Sequence, residues 1–317
     1  MRCVLLAALA LATAASAQSY PSRALKFVVP FPPGGGVDIV ARAVGEKLAP
    51  RLGQPIVIEN RPGGGTTIGT EAVAKSAPDG YTILVSGIAS QAIVHHLHPN
   101  RPFDFMRDLA PVARIADGVI AFVVPASSPA NSVADFVALA KANPGKLTFA
   151  SSGTGGLIHL TGEMFKQAAG IEITHVPYKG TTQILPDILD ARVDLALDSV
   201  PAYLPHIKSG RVKAFAVAGR ERSALLPQLP TMAEAGVPGV VATTDYALYA
   251  PTGTPSGVIA RLHHETAAVL EMADLRAKLA TQAIEVRGGT PEALKAELAG
   301  EMEKWGRVIR AANIRVE

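Results

Sequence analysis

The chain has 317 residues with a formal net charge of +3, and 5% of its residues are aromatic. That charge is too small and too dispersed for a nucleic-acid partner, and so few aromatic side chains argue against the stacking surfaces of sugar or base binders. A chain of this length exceeds one usual hydrophobic core, so two domains are expected.

The first residues predict a cleaved signal peptide, residues 1–17. Arg2 supplies a positive charge, residues 4–15 form a short apolar segment, and a small-residue cleavage site precedes Gln18. The apolar run is well short of the ~20 residues that span a bilayer, and no later segment reaches that length without charge or proline. The only cysteine, Cys3, lies in this leader, so the exported protein is expected to have neither disulfides nor thiolate chemistry.

After the leader, short β-branched segments alternate with longer helical ones, which is the pattern of an α/β protein with parallel strands. Strands are predicted at 25–30, 56–59, 82–86, 119–124, 147–150, 173–176, 194–197, 212–218 and 245–250. Helices are predicted at 37–48, 133–142 and 157–168, and the segment 255–313 is expected to be mostly helical. Ser132 is expected to cap the second helix and Gly170 to end the third.

Two glycine-rich turns, at residues 31–38 and 151–156, each connect a predicted strand to a predicted helix. Such turns direct unpaired backbone N–H groups, at the positive end of a helix dipole, toward one point. One turn in each domain, facing the other, would bind a small anion such as a carboxylate. The alternative is that the glycines serve only a tight turn.

The candidate ligand-binding residues come from these turns and from nearby strand ends. Asp38 could face the ligand or only complement the helix dipole, His159 could approach the ligand or bond locally, and Asp198 could orient a ligand group or cap the next helix. Ser86, Ser90 and Gln91 are expected to form a third loop. The candidates are Phe31, Gly34, Gly35, Gly36, Val37, Asp38, Ser86, Ser90, Gln91, Ser151, Ser152, Gly153, Thr154, His159, Tyr178 and Asp198.

The residue patterns of catalysis and of metal binding are missing from the sequence. Gly-x-Ser-x-Gly is absent, and the glycine turns lack the Gly-Lys-Ser/Thr ending that binds nucleotide phosphate. His95, His96 and His98 do not have metal-ligand spacing and are expected in a surface loop, and His175 is expected to pack at a strand end. The sequence therefore predicts a protein that is not an enzyme and that binds neither a cofactor nor a metal.

Two extended apolar segments, 119–125 and 246–255, end in proline-rich stretches and are expected to cross between the domains. This interpretation assigns residues 18–124 and 246–317 to the first lobe. Residues 125–245 would then form the second lobe.

The chain resembles the Bug-type extracytoplasmic solute receptors, the binding component of tripartite tricarboxylate transporters. The resemblance covers essentially all of the predicted mature chain, because many short motifs occur in the same order. These motifs are Pro30–Gly36 with Asp38–Arg42, Glu59–Gly63, Ala77–Thr82, Ser151–Gly155 with His159 and Leu160, Val176–Gly180, Leu204–Gly210, Leu229–Thr231 with Glu234–Gly236, and Ala250–Pro255. The resemblance implies a two-lobed, type II periplasmic-binding-protein-like α/β fold with two crossing hinge strands. Its interlobe cleft would close on a ligand whose carboxylate is held by the two glycine-rich loops.

Two departures from the family pattern bear on the ligand. Val37 stands where members commonly have threonine, and Asp245 lies where many have an aromatic segment. If Asp245 faces the cleft, it would repel a further ligand carboxylate; the alternative is that it points outward. The first case predicts a monocarboxylate rather than citrate.

The resemblance also implies a partner and a compartment. The protein would be a monomeric periplasmic receptor that delivers a small organic acid to membrane transporter components, without being embedded in the membrane itself. The alternative is a sensor that binds the same ligand and presents its closed lobes to a signalling protein.

Overall fold

The computed structural model describes residues 20–316 and contains two β-sheets, each covered by helices. The predicted leader, residues 1–17, lies outside the described residues. None of the helices described is both long and apolar enough to cross a membrane.

The elements alternate between strand and helix along most of the chain. The strands are β1 Leu25–Val29, β2 Ile56–Asn60, β3 Thr82–Ser86, β4 Leu109–Gly118, β5 Ile120–Pro125, β6 Thr148–Ser151, β7 Thr174–Pro177, β8 Leu195–Ser199, β9 Val212–Val217, β10 Thr244–Pro251 and β11 Ile284–Val286. The helices are α1 Gly36–Leu52, α2 Thr67–Ala74, α3 Ile88–Leu97, α4 Phe105–Asp108, α5 Val133–Ala142, α6 Leu157–Ala169, α7 Thr181–Leu189, α8 Leu204–Lys208, α9 Ser256–Leu270, α10 Ala273–Ala280 and α11 Pro291–Ala311. Short 3₁₀ turns lie at Gly64–Thr66 and Val200–Ala202.

The first sheet has six strands in the order β11-β4-β10-β3-β1-β2, and the second has five in the order β7-β6-β8-β5-β9. In the first sheet β1, β2 and β3 are parallel, whereas β10 runs antiparallel to β3 and β4. In the second sheet β6, β7 and β8 are parallel, and β5 runs antiparallel to β8 and β9. Helices link the parallel strands, and this crossover brings their carboxyl ends to one edge of each sheet.

Each of the nine predicted strands is present, but β4 and β11 were not predicted. Strand β4 contains Pro111, and β11 has only three residues, so neither shows a clear β pattern. The expected loop around Ser90 and Gln91 is wrong because those residues lie in helix α3. The apolar residues Ile88 and Ala92 of that helix are fully buried, and burial of this face stabilises the helix despite its polar residues.

The first predicted boundary between the lobes is also wrong. Strand β5, which the prediction placed in the first lobe, pairs with β8 and β9 of the second sheet. The chain therefore leaves the first sheet at Gly118 and enters the second at Ile120, and it returns between the end of β9 and Thr244. Strands β4 and β5 form one nearly continuous extended segment, and no local signal shows where such a segment changes sheet.

Helix α11 joins the cores of both sheets. Leu294 and Leu298, near its start, pack with Tyr249 of the first sheet. Trp305 and Ile309, near its end, pack in the hydrophobic core of the second sheet. The C-terminal helix is therefore a connection between the two halves in addition to the two crossings.

Candidate functional site

A cleft lies between the two sheets, at the carboxyl ends of their parallel strands, where ligands bind in open α/β sheets. It has two adjoining parts, which we call chamber A (≈ 550 Å³) and chamber B (≈ 540 Å³). The chambers share seven lining residues from both halves of the molecule: Phe31, Pro32, Ser90, Ser152, Thr181, Ser199 and Thr244.

The first glycine turn lines chamber A through Gly34, Gly35, Gly36 and Val37. Gly34 has a φ of +83°, a left-handed conformation that favours glycine. Helix α1 begins after Gly35 without a side-chain cap, so its first amides face the chamber without a partner from a cap side chain. Gly36 lies against the Tyr246 hydroxyl, where a Cβ atom would be only 2.5 Å from the oxygen.

Asp38 braces this turn and does not line the cleft. Its buried carboxylate accepts hydrogen bonds from the Gly34 amide (2.9 Å), Arg42 Nε (3.0 Å) and Asn60 Nδ2 (2.9 Å). Burial alone would raise the pKa of Asp38, but the bonds from Arg42, Gly34 and Asn60 hold it below its usual value. The prediction that Asp38 contacts the ligand is therefore wrong, because its carboxylate is used within the turn. The sequence did not identify Asn60 as a residue that supports this turn.

The second glycine turn lines chamber B through Ser152, Thr154, Gly155 and Gly156, and Ser152 also reaches chamber A. Helix α6 begins after Gly156, again without a side-chain cap. The two turns therefore face one cleft from opposite sheets.

Ser151, Gly153 and His159 do not line the cleft. Ser151 Oγ lies 2.7 Å from Nε2 of His175 and also donates to the Gly153 carbonyl, while Nδ1 of His159 accepts from the Gly155 amide at 3.0 Å. The rings of His159 and His175 stack with centroids 3.8 Å apart. Burial lowers the pKa of both imidazoles to about 4, so they are neutral at physiological pH and His159 can accept that bond.

Helix α7 brings a third uncapped helix start to the cleft, through Gly180 and Thr181 in chamber A. The sequence did not identify Thr181, Ser199 or Thr244 as candidates, because each belongs to a different element and no local motif connects them. Tyr178, which was a candidate, lies away from both chambers and donates its hydroxyl to Asp187 Oδ2 at 2.6 Å.

Asp198 lines chamber B from the end of β8, with 1% of its surface exposed. Its carboxyl group accepts from the Ser199 amide (2.7 Å) and the Tyr203 hydroxyl (3.1 Å). Burial raises the pKa of Asp198, and these hydrogen bonds offset only part of that effect. Asp198 does not cap the next helix, whose N-cap is Ser199 without a side-chain cap bond. A contact between Asp198 and a ligand group stays a prediction, and its place in the wall of chamber B is compatible with it.

Ser86 and Gln91 are buried behind the cleft. Gln91 Nε2 donates to Ser86 Oγ (2.8 Å), Thr70 Oγ1 (3.1 Å) and Thr66 Oγ1 (3.3 Å). The predicted third loop is therefore wrong for both residues, since Ser86 ends β3 and Gln91 lies in α3. Ser90, one helical turn earlier than Val94, is the residue of this group that lines both chambers.

Asp245 lies in the wall of chamber A with 4% of its surface exposed, so it does not point outward. Its carboxyl group accepts from the amides of Ile88 and Ala89 at the start of α3. Burial, and then the nearby carboxylates of Glu301 and Asp117, raise its pKa to about 8, against the effect of the amide bonds and of Arg114.

The predicted histidine loop is wrong as well. His95 and His96 lie in the last turn of α3, where His96 Nε2 is 2.7 Å from the Met302 carbonyl of α11. His98 follows the helix and lines chamber B. Across residues 20–316 there is no group of three or more histidine, cysteine or acidic side chains placed to hold a metal ion.

Among the described residues, the lining of the cleft contains neither lysine nor arginine. The lining does contain helix starts with their backbone amides and neutral polar side chains, among them the hydroxyls of Ser90, Ser152, Thr154, Thr181, Ser199 and Thr244. Such a cleft can bind an anion through neutral hydrogen-bond donors and helix dipoles.

Comparisons with known proteins find the same family of solute receptors over nearly the whole chain. A family model described as the tripartite tricarboxylate transporter family receptor matches residues 40–314. Protein BugT of Bordetella pertussis is 35% identical over 315 residues, which cover 99% of this chain and 97% of BugT.

Two similar solved structures contain ligands. Rpa4515 of R. palustris with adipate has a TM-score of 0.82 at 35% identity, covering 93% of this chain and 99% of that one. MatC from Rhodopseudomonas palustris with bound malate has a TM-score of 0.78 at 30% identity, covering 92% of this chain and all of that one (100%).

Proposed function

We propose, since the chain belongs to the tripartite tricarboxylate transporter receptor family of Bug-type solute receptors, that it binds a small organic carboxylate in the cleft and delivers it to a membrane transporter. Receptors of this family are periplasmic, and we propose the same compartment for this chain. The proposal includes binding and release and no chemical step.

The observation that carries the proposal is the convergence of three uncapped helix starts on one cleft. Helix α1 belongs to the first half, and α6 and α7 belong to the second. A carboxylate that accepts hydrogen bonds from both halves is bound better when the halves approach each other. The ligand would therefore favour the closed state by its higher affinity for that state.

We propose that the ligand contacts come from the residues that line the chambers. From the original candidates these are Phe31, Gly34, Gly35, Gly36, Val37, Ser90, Ser152 and Thr154, and Thr181, Ser199 and Thr244 are added. Asp198 and Asp245 would contribute to the shape and polarity of the wall.

For the ligand, we propose a monocarboxylate or dicarboxylate rather than a tricarboxylate such as citrate. The sequence predicted a monocarboxylate, while the structures of two relatives contain adipate and malate, which are dicarboxylates. Each chamber presents its own uncapped helix start, so a dicarboxylate could use one chamber for each of its ends.

A thermal-shift screen of the chain without residues 1–17 tests the proposal. A carboxylate at 100 times its dissociation constant is expected to stabilise the protein by ~2.7 kcal/mol, which raises its melting temperature measurably. The corresponding uncharged amides serve as matched controls and are expected to give no shift. If no mono- or dicarboxylate raises the melting temperature in a saturable way, the proposed function is wrong.

The Gly35→Val variant is predicted to lose binding while it remains folded. The backbone of Gly35 is extended, with φ −78°, and a Cβ atom there would have only the Pro32 carbonyl oxygen within 4 Å, at 3.7 Å. The larger side chain would occupy chamber A in front of the α1 amides. Gly257→Val, at an exposed position of α9 where a Cβ atom meets nothing within 4 Å, is the control. Titration calorimetry that shows equal affinity for both variants would remove the first turn from the site.

A further inference from the structure

Four of the α-helices that begin at or beside the cleft follow a glycine, and one of these four differs from the rest. Helices α1, α6 and α7 follow a glycine and have no side-chain cap. Helix α3 also follows a glycine, Gly87, but its first two amides donate to the carboxyl group of Asp245. The position where a ligand anion would meet α3 is therefore filled by the protein itself.

The filled position belongs to the wall of chamber A. Asp245 lines the same chamber as Gly34, Gly35 and Gly36, and so does Ser90 in the first turn of α3. A carboxyl group held by two helix-start amides is already present there, which shows that the position accepts this chemical group. Asp245 comes from β10, 157 residues away from Ile88 in the chain, so the arrangement is tertiary and not a local cap.

Charged residues of β4 and α11 lie near Asp245 and line a second, polar cavity with it. Strand β4 contributes Arg114 and Asp117, and helix α11 contributes Glu297 and Glu301. Together with Asp245 they line a separate polar cavity of ≈ 250 Å³. Asp245 therefore lies between this cavity and chamber A and lines both.

We propose that Asp245 is a specificity-determining residue, which excludes an additional ligand carboxylate by occupying the anion position at the start of α3 with its own carboxyl group. The inference rests on the proposed function of the cleft. Exclusion follows from occupancy, because the two amides are already used and the space in front of them is filled. It does not require Asp245 to be ionised.

Two substitutions separate occupancy from charge. Asp245→Asn keeps an oxygen that can accept from the Ile88 and Ala89 amides and removes the ability to ionise. Asp245→Ala leaves both amides free and opens the space. If occupancy determines specificity, the asparagine variant is expected to behave like the wild type and the alanine variant to differ from both.

The first test uses acetate as the probe and does not depend on the natural ligand. Acetate is expected to raise the melting temperature of Asp245→Ala in a saturable manner beyond any rise in the wild type or in Asp245→Asn. Equal responses of the three proteins to acetate would overturn the inference. Sodium chloride at the same ionic strength controls for general screening.

The second test compares glutarate with propane-1,2,3-tricarboxylate, which is glutarate with one more carboxylate. The wild type is expected to prefer glutarate, and Asp245→Ala to shift the affinity ratio toward the tricarboxylate by at least about tenfold, the effect of one charge-assisted hydrogen bond. A wild type that prefers the tricarboxylate would overturn the inference even if the alanine variant does not fold.

Different results would contradict the proposed function of the cleft and the proposed role of Asp245. If the wild type binds none of the carboxylates, the proposed function fails, and the acetate response of Asp245→Ala still decides whether Asp245 fills an anion position. If the wild type binds glutarate but the ratio stays within about twofold in Asp245→Ala, the inference fails and the proposed function stands.

Discussion

At the scale of single residues, the cleft is shaped by polar side chains that turn away from it. Asp38, Ser151 and His159 each bond to the backbone of a glycine turn, at Gly34, Gly153 and Gly155. A turn rich in glycine is flexible when free, and ordering it costs conformational entropy. These side chains restrict the turns so that their amides keep one direction before a ligand arrives, which reduces the cost of binding.

The histidine pair predicts a pH dependence. The pKa of His159 and of His175 is about 4 in the folded protein because of burial, below the ordinary value of 6.5. As pH falls below 6.5, the unfolded chain takes up protons first, so the free energy of unfolding is expected to decrease until the pH passes the folded pKa.

Urea denaturation at pH 7, 5.5 and 4.5 measures this effect, with His159→Asn as the comparison. Asparagine Oδ1 can replace Nδ1 as the acceptor of the Gly155 amide, but it does not titrate. The wild type is expected to lose more stability than this variant between pH 7 and pH 4.5. Parallel stability curves would show that His159 does not titrate with the predicted shift.

At the scale of elements, the first glycine turn depends on the strand that lies beside it in the sheet. The first turn follows β1, but Asn60 at the end of β2 donates to both Asp38 and the Phe31 carbonyl. Strands β1 and β2 are paired in parallel, with Val29 opposite Asn60, so the sheet register brings this side chain to the turn.

Asn60→Ala is predicted to loosen the first turn. The variant loses two hydrogen bonds from Nδ2 and one from Arg42 Nη2, each worth about 1 kcal/mol, so a loss of roughly 1–3 kcal/mol in stability is expected. Affinity for the best carboxylate of the screen is expected to decrease about tenfold, because the amides are less well ordered before binding.

The control for Asn60→Ala is Asn143→Ala. The amide of Asn143 donates to the Leu139 carbonyl at the end of α5, far from the chambers in the chain. Titration calorimetry should find its affinity unchanged. An Asn60→Ala variant with the affinity of the wild type would show that β2 does not order the turn.

At the scale of the whole molecule, α11 couples the two halves. Trp305 is fully buried in the core of the second sheet, and its Nε1 donates to Glu301 Oε2 at 2.7 Å. The same helix packs against Tyr249 and Phe105 of the first half through Leu294 and Leu298. Unfolding of either half therefore exposes part of the core of the other.

Trp305→Ala is predicted to destabilise the protein by about 3–5 kcal/mol, the usual cost of a large cavity in a core. Lys295→Ala, on the exposed side of α11, is the control and should change stability by less than about 0.5 kcal/mol. Calorimetry is expected to show one cooperative transition for the wild type, because the helix links both cores. Two separate transitions in the wild type would contradict this coupling.

Much of the architecture could be predicted from local patterns. Alternation of β-branched strands with amphipathic helices, and glycine turns between them, depend on near neighbours in the chain, and these predictions agree with β1, β3, β6, α1 and α6. The expected two-lobed fold of a Bug-type receptor is confirmed by the family match and by the similar solved structures. The order of elements also predicts glycine turns at the carboxyl ends of parallel strands, whereas the convergence of the two turns on one cleft depends on how the two sheets pack.

The tertiary structure alone decided the rest, because the partner of a side chain usually lies far away in sequence. Strand β5 belongs to the second sheet through its hydrogen bonds with β8 and β9, and both strands are more than 60 residues away in the chain. The residues 119–124 by themselves do not show which sheet they join. Asp245 fills the start of α3 because β10 runs beside β3, and Thr181 and Thr244 meet only after both sheets have folded. Local sequence determines which elements form, whereas the packing of distant elements determines which polar groups remain free to bind a ligand.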